Sequence, residues 1–456
     1  VDRDKHILDN DHIGRLLLKI SGPAMVGMAV NALYNVVDAI FVGRGVGTLG
    51  IAGIAIVFPI QAFVLAIALM LGIGGASVIS RSLGAKDYER ANFTVGNAML
   101  CVIFMGLSAA VLGTVFLKPL LAIFGASETI MPYAEEYAGI ILIGSVFFAF
   151  SAASNNFIRA EGRALIAMTS MLMGAVLNII LDPIFIFGFH LGIRGAAIAT
   201  VISQISTSIF LIAYFRFGKS SLKIGLRYFK LKLSLLKEIV AVGSASFVRQ
   251  LSFSILSAIL NNILKIYGGD VSIAVYGILN RMNAFAFMPM LGIAQGVQPI
   301  VGFNHGARRY DRLLRTLNLG IKSSSAVAIG GFLILYLFPG AVISIFTRDQ
   351  LLISRGIHAM RYFVLALPMA GFHIIAASMF QAVGKARQAL TLTIARQVSI
   401  TLMVIILPRF LYLDGIWMSF PLTEILFFFL TLSMYLPQLK EFNHAHLQTT
   451  IPGVIV

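Results

Sequence analysis

Three carboxylates lie in runs of the sequence that are otherwise apolar. Asp38, Asp182 and Glu424 fall well inside such runs, whereas Glu136 and Glu238 fall near their ends. A charged side chain at the centre of a bilayer costs on the order of 2.5–3.5 kcal/mol on insertion scales, so a trio kept there points to a use. Asp38 has polar neighbours at helical spacing. Asn31, Tyr34, Asn35 and Asp38 stand at i, i+3, i+4 and i+7, which puts all four on one face. Asn178 and Asp182 stand at i, i+4, and Thr200 and Gln204 repeat that spacing. Three such stripes in the first half of the chain can form one polar pocket. Two kinds of chemistry would neutralise its carboxylates. Burial beside a second carboxylate favours a shared proton. Alternatively, Na+ is held by the Asp38 and Asp182 carboxylates with the Asn178 and Thr200 oxygens. Either makes an ion-coupling site. Asn31 and Asn35 are read as ties between helices, a role Asn, Thr and Gln fill routinely in membranes. Glu424 has no acidic partner in the sequence, and a structural role and a substrate contact both stand open for it.

Such residues need helices to hold them. The chain is 58% hydrophobic and 12% charged with a mean hydropathy of +0.91, against about 45–50% apolar and about 25% charged in a soluble domain. The composition predicts an all-α polytopic membrane protein. Spans are expected near 13–42, 49–80, 92–117, 133–156, 164–189, 194–215, 236–266, 272–301, 315–340, 356–382, 388–411 and 415–437, twelve transmembrane helices in all. The predicted organisation is an N-terminal six-helix lobe over 1–215, a basic cytoplasmic connector over 216–236, a C-terminal six-helix lobe over 237–437 and a solvated tail over 438–456. With both termini cytoplasmic, nineteen Lys and Arg face inward against seven outward, so the positive-inside rule selects that orientation. The formal charge of +16 then meets anionic lipid and requires no nucleic acid. The one cysteine, Cys101, excludes an intrachain disulfide framework. No cleavable signal peptide is expected, because the first apolar run is a full span.

The chain also repeats itself. "GAKDYERA" (84–91) aligns with "GARRYDRL" (306–313), and "RAEGRA" (159–164) with "QAVGKA" (381–386), both at an offset of 222; the same offset carries Gly74 onto Gly296. Matches at one spacing imply two halves of like orientation. "SGPAMVGMAVNALYNVVDAIFVG", the "SRSLGAKDYERA" loop, "RAEGRA", "LNIILDPIFIFG" with "LGIRGAAIAT", and "GIAQGVQPIVGFNHGA" with "QAVGKA" resemble the multidrug and toxic compound extrusion (MATE) transporters over nearly the whole chain. The resemblance implies two lobes in a V around a central cavity, and export of amphipathic, often cationic compounds driven by influx of H+ or Na+. It implies no other cofactor, a monomer, and a plasma (inner) membrane location. It maps Tyr34, Asp38, Asn178, Asp182, Thr200 and Gln204 onto the cation site of the branch that couples through its N-terminal lobe. A fourth-helix asparagine, Asn155 or Asn156, belongs with them. The other branch uses acidic residues of the C-terminal lobe, and the seventh, eighth and tenth spans have none in mid-span here.

Pro23 and Pro183 each remove a helical N–H and free the carbonyl four residues earlier, so bending there is cheap. The resemblance links the first-helix proline to a bend that follows protonation, which assigns that role to Pro23. In "NRMNAFAFMPMLG" (280–292), Met282, Phe285, Met288 and Met290 offer an adaptable apolar surface, and they are candidates for lining the substrate path together with Glu424. Enzyme readings fare poorly. The glycines of "GRGVGTLG" and "LGIGGAS" follow no strand, and no P-loop, His or Cys ligand pair, or Ser/His/Asp set is present. The alternatives are a flippase for lipid-linked saccharides, which Arg249, Arg281, Arg361 and Arg396 in the second-half spans would suit, a passive channel, and a membrane scaffold.

Overall fold

In hydrocarbon the backbone has no water to bond, so a segment that crosses must satisfy its own N–H and C=O groups, and the helix does this locally. The computed structural model describes residues 7–9 and 12–450, and among the described residues all regular structure is helical. The chain runs α1 (Ile13–Gly45), α2 (Thr48–Gly84), α3 (Tyr88–Val115), α4 (Leu117–Ile123), α5 (Met131–Ala160), α6 (Ala164–Pro183), α7 (Gly192–Phe217), α8 (Leu233–Gly306), α9 (Tyr310–Leu337), α10 (Pro339–Ser344), α11 (Gln350–Phe363), α12 (Leu367–Ala382), α13 (Ala386–Ile406) and α14 (Pro408–Thr450). Ten are long and apolar enough to cross a membrane, and α11 with α12, bent by 50°, makes an eleventh candidate.

The predicted boundaries differ from these helices where glycine or proline decides. The expected spans 236–266 and 272–301 occur within the 74-residue α8, which breaks at Gly269, whose φ of 63° lies in the left-handed region that glycine tolerates. The expected span 356–382 is two helices, because Pro368 opens a fresh first turn in α12. Behind Pro183, residues Ile184–Gly188 widen into a π-helical turn, which absorbs the missing hydrogen bond. The expected tail from 438 instead continues α14 to Thr450, and 451–456 lie outside the described residues.

The connector between Phe217 and Leu233 is pinned to the N-terminal half. Asn92 Oδ1 accepts from the Lys223 N–H at 2.8 Å, Asn97 Oδ1 accepts from the Lys232 N–H at 2.6 Å, and Arg227 pairs with Glu89. Glu161, in the turn after α5, is buried and accepts from Tyr214 Oη, Ser220 Oγ and the Ser221 N–H at 2.8–2.9 Å.

Apolar packing differs between the two ends of the bundle. At the end carrying the basic turns 84–88 and 306–310, one core joins both halves, with Leu16, Ile79 and Phe157 packed in the same cluster as Ile300, Met379 and Phe380. At the other end the cores are separate, one around Val57, Tyr137 and Ile193, the other around Leu260, Met360 and Trp417. At the joined end α2 and the last part of α8 cross with backbone against backbone. A Cβ on Gly84 would land on the Phe303 carbonyl oxygen, and a Cβ on Gly306 would land on that of Arg81. These contacts are each other's image under the 222-residue offset. Glu238, near the start of α8, adds ion pairs between the halves, to Arg81 of α2 at 3.0 Å and to Arg90 of α3 at 2.6 Å.

Candidate functional site

Helices α1, α6 and α7 bring the stripes of the first half together. Asp182 and Asn178 lie one turn apart on the buried face of α6, Thr200 is buried on α7, and Asp38 is half-buried on α1. Asn178 Nδ2 lies 3.3 Å from Asp182 Oδ1 and 3.3 Å from Thr200 Oγ1, so one amide spans two helices. Tyr34, one turn before Asp38, lies beside Thr200 and within electrostatic reach of both carboxylates. The Asp38 and Asp182 carboxyls lie beside each other, within electrostatic reach. Both are acceptors, so the contact supplies neither with a donor. Asp38 Oδ1, Asp182 Oδ2 and Asn178 Oδ1 are all buried without a hydrogen-bond donor. No Lys, Arg or His pairs with either carboxylate among the described residues. Two carboxylates this close repel unless a proton or a cation lies between them, and the three idle oxygens are where either would bind.

Two residues that spacing did not single out belong to this pocket. Tyr137 of α5 is buried within electrostatic reach of Asp38 and Asp182, and it lies beside Gln61 of α2. Gln61 has no polar neighbour one turn away, and Tyr137 has only Tyr133, near the end of its span, so no carboxylate or amide at helical spacing marks either. Gln204 lies beside the pocket. Its side chain and that of Gln61 line a small cavity with Ser145 and Phe148, and its Oε1 has no donor.

Other candidates lie elsewhere. Asn155 accepts from Ser170 Oγ at 2.7 Å, and Asn156 accepts from Arg159 at 3.1 Å; neither bonds to Asp38, Asp182, Asn178 or Thr200 among the described residues. Asn35 donates to the Asn31 carbonyl at 2.7 Å, and both side chains are exposed. The stripe on α1 therefore divides, with Tyr34 and Asp38 in the pocket and the two asparagines bonded to each other outside it. Met282 and Met290 are buried in the apolar core of the second half, Met288 is half-buried, and Phe285 is 58% exposed. Pro23 lies within an unbroken α1.

Glu424 has basic partners. One carboxylate oxygen accepts from Arg396 Nε at 3.1 Å and from Nη2, and the other faces His373 Nε2 at 3.2 Å. Helices α12, α13 and α14 each supply one member. Among the described residues no three His, Cys, Asp or Glu side chains converge as a metal-holding group. The oxygen set of the first half suits a hard monovalent cation rather than a transition metal.

Comparison with known proteins bears on this geometry. The family model described as MatE matches residues 23–184 and again 245–407, two stretches whose starts are 222 residues apart. A curated relative, the multidrug export protein MepA of Staphylococcus haemolyticus (strain JCSC1435), is 27% identical over 431 residues, covering 94% of this chain and 95% of its own. A solved structure described as MATE in the bent conformation is 29% identical with a TM-score of 0.91, covering 96% of this chain and 98% of that one. Another, the MATE multidrug transporter DinF-BH in complex with rhodamine 6G, is 43% identical with a TM-score of 0.86, covering 92% of this chain and 94% of that one.

Proposed function

The chain belongs to the MatE family, whose relatives compared above are exporters and not enzymes, and from that premise we propose that it is a secondary active antiporter. It expels amphipathic, often cationic compounds in exchange for H+ or Na+ by alternating access. The observation that carries this reading is the Asp38–Asp182 pair, two adjoining carboxylates with idle oxygens and no cation of the protein's own. A group already neutralised by a fixed lysine or arginine has nothing to exchange. This pair does.

In this reading α8 counts as two crossings divided at Gly269, and α11 with α12 as one broken crossing. The chain then has twelve spans in two sets of six, arranged as a V that is open at the end where the cores separate. The basic end is cytoplasmic, both termini lie there, and the protein works as a monomer in the plasma membrane. The cation or proton arrives from the open side. Asp38 and Asp182 bind it with Asn178, Thr200 and Tyr34, and the repulsion between the carboxylates disappears. Tyr34 and Asp38 lie about three and four turns beyond Pro23, so a bend there re-aims both. Similar MATE structures are described in both a bent and a straight conformation, which is consistent with a bend forming in this fold.

The test is efflux of rhodamine 6G from proteoliposomes under an imposed proton or sodium gradient. Expected are gradient-dependent efflux by the native protein and none by Asp38→Asn. Equal, gradient-independent leakage by both would identify a passive pore instead.

A further inference from the structure

A small cavity with polar walls interrupts the apolar core at the joined end of the bundle. Asn156 and Arg159 of α5 line it from the first half, and Gln295 and Gln298 of α8 line it from the second. Ala76 of α2 lines it as well, and the 222-residue offset carries Ala76 onto Gln298, so the halves face each other here at equivalent positions. Arg159 brings a charge into this space. Its guanidinium donates to Asn156 Oδ1 at 3.1 Å, and no carboxylate lies at ion-pair distance or within electrostatic reach of it among the described residues. Glu161, in the turn that follows, is taken up by Tyr214, Ser220 and the Ser221 N–H. The amide nitrogen of Gln298 is buried without an acceptor.

The equivalent position of the second half shows that packing does not require this charge. The offset carries Arg159 onto Gln381, which is buried; its amide donates to Ser246 Oγ at 3.0 Å and its carbonyl accepts from Ser77 Oγ. A neutral side chain ties the helices there. A polar gap in an otherwise apolar seam is where H+ or Na+ would slip through without being exchanged. A fixed positive charge in a constriction opposes that passage. Two unit charges about 5 Å apart at an effective dielectric of about 20 repel strongly enough to slow it roughly a hundredfold. Arg159 also lies about 33 Å along α5 from Tyr137 of the acidic pocket, which puts the charge at the far end from the ion site.

We propose that Arg159 is the electrostatic barrier of the closed end, keeping H+ and Na+ from crossing the seam uncoupled. The inference rests on the antiporter reading, since such a leak would dissipate the gradient that drives export. Its test is ion entry into proteoliposomes holding the full chain without substrate, read as tracer Na+, tracer chloride and the signal of a trapped pH dye. Because Arg159 is partly exposed and so partly screened, Arg159→Gln should speed Na+ and H+ entry by about tenfold or more rather than the full repulsion. Arg159→Met, equally uncharged, should leak likewise, and Arg159→Lys should stay near the native rate. Chloride entry should be no faster in any of them. Rhodamine 6G binding within about twofold of native shows that a variant is folded. The leak should also persist when Asp38→Asn is added, because passage through the seam needs no turnover of the acidic pair. Native cation entry in both uncharged variants overturns the proposal. So does an equal rise for chloride, which means a seam opened without regard to charge, and so does loss of the leak on adding Asp38→Asn, which means uncoupled cycling. If the native protein moves no rhodamine 6G under an ion gradient, the antiporter reading fails while the comparison of cation with chloride entry still decides the barrier.

Discussion

Asp182 of the first half and Glu424 of the second are both carboxylates well inside the bundle, and the protein treats them differently. Glu424 is held by Arg396 and faced by His373, whereas Asp182 has an amide, hydroxyls and another carboxylate around it and no basic side chain among the described residues. A buried ion pair locks its members, because removing either leaves the other charged and alone. A carboxylate without a cation is strained until something mobile joins it. The contrast suggests which half responds to an ion gradient and which is a fixed part of the framework.

The contrast is broken most directly by removing the first-half charges. Asp38→Asn and Asp182→Asn should each reduce gradient-driven efflux in proteoliposomes to the level of empty vesicles, with normal yield and melting temperature. Near-normal coupled efflux by either well-folded variant would make the two halves equivalent. The converse holds for the second half. Glu424→Gln strands Arg396 and should cost about 3 kcal/mol, the low end for a broken buried pair because Arg396 is partly exposed. Replacing both, with Arg396→Met added, should return much of that stability in thermal melts. Efflux by the folded protein should keep its dependence on the ion gradient; losing that dependence would move coupling into the second half.

Pro23→Ala sharpens the comparison more gently. It restores an N–H and straightens α1 locally, so efflux should fall several-fold while dye binding is retained. Distances between spin labels on α1 and α6, measured at high and low pH and with or without Na+, should vary in the native protein and vary less in the variant. A fixed α1 in a transporting protein would leave rocking of the two halves as the coupling step. The smallest effect is expected at Glu161, outside the spans, where burial pushes the carboxyl from 4.5 up to about 7. The folded state then holds its proton more tightly than the unfolded state, so its contribution is complete below the ordinary pKa and is lost as pH rises toward about 7. Melting temperature should fall by a few degrees from about pH 5 to about pH 8 in the native protein and less in Glu161→Gln. Parallel curves would remove Glu161 from the pH response.

Much of the acidic pocket was legible because its members come in helical pairs. Tyr34 with Asp38 and Asn178 with Asp182 are each one turn apart, and a turn is a distance that sequence displays directly. The i, i+7 reach from Asn31 to Asp38 was too generous, since a pocket is narrower than two turns of helix. Gln61 has no polar residue one turn away, and Tyr137 has only Tyr133 at the end of its span, so neither stood out. The pairing of Glu424 with Arg396 joins two helices, and nothing periodic encodes which arginine of four will reach a given glutamate. Span positions were legible from apolar length, and the gap left between the expected spans 236–266 and 272–301 holds Gly269, whose left-handed conformation breaks α8.

At the seam between α2 and the end of α8, carbonyl oxygens rest against bare Cα atoms of Gly84 and Gly306. Surfaces that interlock through side chains must unpack them one by one before they separate. Surfaces that meet through backbone can lift apart at a low activation barrier and return without any rotamer search. In the proposed alternating-access cycle, the ion pairs of Glu238, near the start of α8, with Arg81 and Arg90 would act as a latch beside that joint, setting how long it stays shut rather than whether it fits. Because the two glycine crossings mirror each other, one methyl group at either position would wedge a single side. The backbone on that side would have to move away, and the cost would appear in the stability of the joined end as well as in turnover.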